Sequence, residues 1–385
     1  MSVIDLVYFN AGGGHRAAAL ALEAAIVRQQ RPWQVRRVNL FEVLDPQASF
    51  KRVLGFDPEA LYNRRLQRGW TLGMAQELKL LQAMIRLAHA PMRRTLVRHW
   101  QRSAPDLVVS LVPNFNRVLY ESLAAARPGV PYVTVLTDMA DHPPHFWIEP
   151  GQDQTLVCGT DFACAQARAA GHPAERVVRV SGMLLRPSFY GPAALDRDER
   201  RRALGLDPRR PTGVVTFGGQ GSRQMLSIAR ALDTVQLVLM CGHNQALADA
   251  LRKLERSAPH AVFGFTDDVP AVLRLADFFV GKPGPGCLSE AVHLGLPVIT
   301  LRNAWTMPQE RYNARWVIEQ GVGLVIRSIA ELPAACDELL GRLPQLREAT
   351  GRLHNRAVFE VADLLERLIE ASGGARDAAP RTVNG

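Results

Sequence analysis

Twice along this chain the same pattern recurs: a short apolar run, a turn, then a helical stretch. The first series has apolar runs at residues 3–9, 106–112, 132–136 and 154–158. The second has them at 213–217, 235–240, 261–265, 278–280 and 297–301. Runs this short, spaced by helical segments, read as strands buried on both faces of a parallel sheet. The pattern therefore predicts an α/β chain with two sheet domains, each binding ligands at the C-terminal ends of its strands. A proline- and charge-rich stretch, 186–211, is the expected linker. The expected division is residues 1–185, residues 186–345, a helix over 346–371 returning to the first domain, and a disordered tail over 372–385.

With 385 residues, 47% hydrophobic and 22% charged, the chain is long enough for two cores and reads as soluble and globular. It shows no apolar run of bilayer-spanning length, and MSVIDLVYF reads as a buried first strand, not a secretory signal. Cys158, Cys164, Cys241, Cys287 and Cys336 form no CxxC pair, which excludes the usual zinc spacing and suggests buried thiols in a reducing compartment. The net charge of +9 favours anionic partners: nucleic acid, an anionic lipid surface or phosphate ligands. No nucleic-acid-binding motif accompanies it.

The run GKPGPGCLSEAVHLGLPVIT, residues 281–300, follows a strand and opens a helix. Gly284 and Gly286 let backbone amides approach a ligand, the helix start offers unpaired N–H groups, and Lys282 adds positive charge. Glu290, one turn on, can accept the hydroxyls of a ribose. Near the N-terminus Gly12–Gly14 leads into His15, an imidazole that a helix start keeps neutral. Asp138 follows the strand at 132–136, with His142, His145 and Trp147 close behind. A carboxylate there can deprotonate an acceptor hydroxyl, or simply cap a helix. A metal site from Asp138, Asp141, His142 and His145 is disfavoured, because Pro143 and Pro144 break helical ligand spacing. Asp196 and Asp198 imitate a DxD pair but sit among arginines as solvated charge.

Four stretches in order, NAGGGHRAAA, TDMADHPPHFW, GKPGPGCLSEAVHLGLPVI and MPQERYNARWVIEQGVGLVI, resemble glycosyltransferase family 28. The resemblance is strongest to the branch of plant monogalactosyldiacylglycerol synthases and bacterial diacylglycerol glucosyltransferases. It implies a GT-B fold, two Rossmann-like domains facing a cleft, and inverting transfer of a hexose from a UDP-sugar to a lipid, diacylglycerol first, without a cofactor or metal. Matched by motif, Glu290 holds the ribose, Gln309 and Glu310 reach the donor sugar, and Asn313 steadies their helix. Gly218, Gly219 and Ser222 in FGGQGSRQ resemble the second glycine loop, beside the diphosphate. Lys282, Gly284, Gly286 and Cys287 complete the donor set, although the family commonly has threonine where Cys287 stands. Gly13, Gly14, His142, His145 and Trp147 fall on the acceptor side, with Asp138 and His15 both eligible as base. Asn10-Ala11 departs from the family's usual serine or threonine start.

Residues 56–100 carry an amphipathic, basic stretch in which Leu78, Leu81, Ile85 and Ala88 share a helical stripe. Alone it reads as a core-facing helix with a solvated edge. A lipid acceptor shifts the reading towards a membrane surface, with Leu78, Leu81, Ile85, Trp70 and Trp100 inserted and Lys79, Arg86, Arg93 and Arg94 on anionic headgroups. The expected location is cytoplasmic, peripheral on the inner face of the cell membrane. Other readings are a transferase using UDP-N-acetylglucosamine and another lipid-linked acceptor, a UDP-sugar 2-epimerase, and a nucleotide-sugar-binding regulator without turnover.

Overall fold

A computed structural model describes residues 1–10, 13–45, 74–192 and 196–378. They form two compact units, one of residues 1–10, 13–45, 77–186 and 356–378 and one of residues 74–76, 187–192 and 196–355.

The first unit is a six-stranded parallel sheet in the order β2-β1-β3-β4-β5-β6. Its strands are β1 (Ser2–Tyr8), β2 (Trp33–Asn39), β3 (Leu107–Ser110), β4 (Tyr132–Val135), β5 (Thr155–Cys158) and β6 (Val177–Arg179). β3, β4 and β5 are buried at every position, as helices on both faces require. On one face helix Gly14–Arg28 and helix Ala357–Ala378 share a core of Ala18, Leu22, Ile26, Val361 and Leu365. Arg31 ties the pair by bonding Asp363 at 2.6 Å and pairing with Glu366. On the other face Leu96 and Trp100 of helix His89–Ser103 pack on Val7 and Val108.

The second unit holds β7 (Thr212–Thr216), β8 (Gln236–Met240), β9 (His260–Phe263), β10 (Phe278–Gly281), β11 (Val298–Leu301) and β12 (Gly323–Ile326). They pair in parallel in the order β12-β11-β10-β7-β8-β9. This is the dinucleotide-fold order, and it reverses between β7 and β10, the place at which sheets of this order bind ligands beyond the strand C-termini. In the first sheet the order reverses between β1 and β3.

Two expectations need correction. The stretch 186–211 is no free linker. Within it Asp196 caps helix Arg197–Ala203 by accepting from the Glu199 N–H at 2.8 Å, and Arg197 and Arg201 grip Asp277 at 2.6 and 2.7 Å. Two of its seven arginines are thus held by a buried carboxylate. Nor do residues 346–371 form one helix. Leu346, on helix Leu343–Gly351, packs in the second unit's core, whereas Ala357 and Val361 pack in the first unit's. The chain breaks between them because their apolar faces belong to different cores. The final helix also continues to Ala378, into the stretch expected to be a disordered tail.

Candidate active site

β7 and β10 are paired with Thr216 opposite Gly281, so the loops leaving them start side by side. The loop after β7 turns at Gly218, whose φ of +79° favours glycine. It packs against the loop after β8 so tightly that a Cβ on Gly242 would lie 2.2 Å from the Gly219 carbonyl oxygen. That carbonyl accepts from the His243 N–H at 2.8 Å. Ser222 is buried and its hydroxyl accepts from the Gln224 N–H at 3.3 Å.

The loop after β10 leads into helix Pro285–His293, whose start no side chain caps. Pro285 has no N–H to offer, so the N–H groups of Gly286 and Cys287 carry the positive end of this helix. Two ties hold the loop. Lys282 Nζ donates to Glu310 Oε1 at 2.7 Å, and Asn313 Nδ2 donates to the Pro283 carbonyl at 2.7 Å. Gly284 allows the first tie, because a Cβ there would lie 3.2 Å from Lys282 Cε. Asn313 therefore steadies the glycine loop through its own helix, Arg311–Glu319. Glu310 is nearly buried and holds Lys282, while Gln309 is half-buried beside it. Glu290 lies half-buried along helix Pro285–His293. Burial pushes the Cys287 thiol up to about 12, so it is an uncharged group beside the helix start.

Sequence reasoning missed a neighbouring feature. The rings of His243 and Phe265 stack at 4.0 Å and 15°, and Phe265 is 55% exposed. β9 ends at Phe263, which leaves Phe265 on the loop beyond it and not within the strand. An exposed aromatic just past a strand end, ahead of an aspartate-capped helix, was the available signal.

In the first unit three adjacent strands deliver a second cluster. His15 follows β1 in the first turn of helix Gly14–Arg28, which has Gly13 as N-cap at φ +79°. Its Nδ1 is hydrogen-bonded to Thr137 Oγ1 at 3.1 Å, and its ring lies 5.9 Å from Trp147. Burial holds its pKa down at about 4, against a weaker upward pull from the Leu111 carbonyl, so the imidazole is neutral at pH 7. Next to Thr137, Asp138 is buried and accepts from Trp147 Nε1 at 3.0 Å. Trp147 is itself fully buried, so it positions Asp138 and presents no surface to an acceptor.

The loop bearing these residues is held from several sides. Asp141 accepts from the backbone N–H of Trp147 at 2.6 Å and of His145 at 3.1 Å, and Thr160 donates to the Met139 carbonyl at 2.6 Å. Asn116 donates to the Trp147 carbonyl at 3.0 Å, and Arg117 pairs with Glu149 at 2.9 Å. Asp141 is thus a backbone cap, and burial raises its pKa. No group of three or more metal-ligating side chains occurs among the described residues. Of the two histidines eligible for one role, His142 is half-buried beside Phe162 and His145 is exposed with φ +64°.

The amphipathic stripe is corrected. Leu78 and Ile85 turn inward, against Trp147 and against the core around Leu96, and Trp100 is fully buried with its indole on Ser122 Oγ at 2.9 Å. Trp70 lies outside the described residues. Among the described residues the large apolar side chains left exposed on helix Met74–Leu87 are Leu80, Leu81, Met84 and Leu87. On this helix Leu80, Met84 and Leu87 form a second apolar row beside that of Leu78, Leu81 and Ile85, so residue spacing alone admits two stripes. Lys79, Arg86, Arg93 and Arg94 are exposed, and Arg93 and Arg94 line an open groove of about 570 Å³ with His89, Tyr120 and Glu121.

Residues 214–368 match the glycosyltransferase family 28 C-terminal domain. The chain is a glycosyltransferase. It is 27% identical to the chloroplastic monogalactosyldiacylglycerol synthase of Spinacia oleracea, over 94% of this chain and 71% of that protein. It is 28% identical to a probable monogalactosyldiacylglycerol synthase 2 of Oryza sativa subsp. japonica, over 82% and 68%. In fold the transferase is similar to MurG of Acinetobacter baumannii, with TM-score 0.59, 12% identity and coverage of 95% and 99%. It is also similar to Os79 of O. sativa, solved with UDP, with TM-score 0.58, 14% identity and coverage of 96% and 99%. The fold is GT-B. No helix among the described residues is long and apolar enough to cross a membrane.

Proposed function

We propose that this transferase moves a hexose from a UDP-sugar to a lipid acceptor, diacylglycerol, with inversion at the anomeric carbon. The observation that carries the donor assignment is the pair of adjoining loops after β7 and β10, with glycine amides and an uncapped helix start where the strand order reverses. The acceptor assignment draws on the galactolipid synthases among its relatives. Gly218, Gly219, Ser222, Gly284, Gly286 and Cys287 surround the diphosphate, Glu290 takes the ribose and Phe265 stacks on the base. Gln309 meets the sugar, and Glu310 acts by holding Lys282 in place. Asp138 removes the acceptor proton as its oxygen attacks the anomeric carbon.

The test is a transfer assay with UDP-galactose, UDP-glucose and UDP-N-acetylglucosamine, vesicles containing diacylglycerol, and EDTA. Labelled glycolipid should form from one of the hexoses at a rate EDTA does not change, because backbone N–H groups face the diphosphate charge. Epimerised or hydrolysed donor without labelled lipid would reject the reading. Glu290→Ala should weaken UDP binding by about 1–3 kcal/mol, the cost of losing a charged hydrogen bond. Calorimetry that finds equal affinity in the folded variant would remove Glu290 from the ribose role.

A lipid acceptor is met at a bilayer, and the exposed Leu80, Leu81, Met84 and Leu87 beside Lys79, Arg86, Arg93 and Arg94 suit an anionic one. The enzyme then works as a peripheral protein on the cytoplasmic face of the cell membrane. Each basic residue at such a surface contributes about 1 kcal/mol. Binding to vesicles should rise with anionic lipid and fall with salt, and replacing Arg86, Arg93 and Arg94 by glutamate should weaken it without changing UDP affinity. Equal sedimentation with neutral and anionic vesicles would refute the docking face.

A further inference from the structure

The donor loops carry less positive charge than their ligand demands. Lys282 is committed to Glu310 at 2.7 Å, and that carboxylate is only 6% exposed. Glu290 adds a second acid on the adjoining helix, so Lys282, Glu290 and Glu310 as ionised groups sum to a net negative charge. The start of helix Pro285–His293 returns about half a unit of positive charge. When the sugar departs, the diphosphate gains a further negative charge, which must be met in place.

One cation is placed to meet it. Arg223 directly follows Ser222 in the glycine loop after β7 and is the N-cap residue of helix Gln224–Ala231. It is exposed, and among the described residues its guanidinium has no partner. Its loop leaves the sheet beside the loop after β10, since Thr216 and Gly281 are paired across strands about 4.8 Å apart. Two other arginines directly follow strand ends, Arg302 after β11 and Arg327 after β12, and both strands lie farther from the reversal than β7 and β10.

We propose that Arg223 is a catalytic residue that binds the donor diphosphate and receives the charge of the leaving group. This rests on the UDP-sugar reading above. As the acceptor oxygen bonds to the anomeric carbon, the bond from that carbon to the diphosphate oxygen breaks, and its electron pair stays on that oxygen. The acceptor proton passes to Asp138. The planar guanidinium offers two parallel N–H groups to the phosphate oxygens, a geometry lysine lacks.

The experiment compares the full-length protein with Arg223→Ala, Arg223→Lys and Arg302→Ala. UDP and uridine binding are measured by calorimetry, and turnover with and without millimolar guanidinium ion. Arg223→Ala should lower UDP affinity about 10- to 100-fold, the loss of a charged hydrogen bond, and leave uridine affinity unchanged. Turnover should fall about 10²–10³-fold, the cost of one oxyanion donor. Guanidinium ion should restore part of it, Arg223→Lys should retain part, and Arg302→Ala should match wild type. Wild-type UDP affinity and turnover in Arg223→Ala overturn the proposal, as does the same defect appearing in Arg302→Ala alone. A wild-type protein that binds no UDP overturns the donor reading itself and this inference with it.

Discussion

Asp138→Asn is expected to lower turnover by about 10²–10⁴-fold, the usual worth of a general base, while UDP affinity stays unchanged. The substitution is nearly isosteric, and an asparagine oxygen can still accept from Trp147 Nε1, as Asp138 Oδ2 does at 3.0 Å. The loop keeps its other ties, at Met139 and Asp141, so folding should not suffer. What disappears is a group able to take a proton. His15 is the competing base, but its Nδ1 is engaged with Thr137 and its ring is also drawn to the Leu111 carbonyl. Its pKa of about 4 means that it stays neutral from pH 5 to 8, so it should add no inflection to the turnover profile near the ordinary histidine value. Steady-state turnover and UDP calorimetry on Asp138→Asn and His15→Ala decide between them. If only His15→Ala abolishes turnover, the two roles are exchanged.

Asp277→Ala should cost about 3–5 kcal/mol of stability, the range for breaking a buried ion pair by removing one partner. Asp277 collects Arg197, Arg201 and Arg347 at 2.6–2.7 Å and also accepts from the Thr212 N–H at 2.9 Å. The Arg201 side chain is 3% exposed, so truncation strands a buried guanidinium. Burial by itself would raise the Asp277 pKa, but the hydrogen bonds from Arg197 and Arg201 outweigh it and hold the value at about 2. The folded pKa therefore lies below the unfolded one. The stabilisation is complete above the ordinary carboxylate value near 4 and is lost as pH falls through about 2. Urea melts of the variant and wild type at neutral pH, repeated towards pH 2, should converge as the native carboxylate is protonated. A difference below about 1 kcal/mol at neutral pH would show the cluster to be no better than a surface pair.

The strands legible in the sequence are those buried on both faces, such as LVVS, QLVLM and FFVG, because they present unbroken apolar runs. β2, β6 and β12 were not legible. WQVRRVN is an edge strand whose apolar run is broken by Arg36 and Arg37 on opposite faces, β6 is three residues long, and GLVI is a short strand close behind helix Arg311–Glu319. Glycine loops showed through because backbone conformation and close approach restrict those positions to glycine, as at Gly218. The partners of site residues did not. Lys282 and Glu310, or His15 and Thr137, meet only because parallel strands bring distant loops to one sheet edge. Which apolar residues of helix Met74–Leu87 stay exposed was hidden for a different reason: Leu78 and Ile85 have the same periodicity as the exposed residues, and only packing distinguishes them.

Helix Ala357–Ala378 gives the molecule an unusual order of assembly during synthesis. Residues 1–186 leave the ribosome before residues 187–355, yet their sheet lacks the helix that covers Leu22 and Ile26 until residues 357–378 have emerged. Most of the second unit is the single run 187–355, which can close while translation is still under way. The half made first is therefore completed last, and its uncovered face waits through the whole synthesis of the other. A premature stop anywhere between 187 and 356 would release an unfinished sheet with an apolar face, a ready substrate for chaperones and proteases.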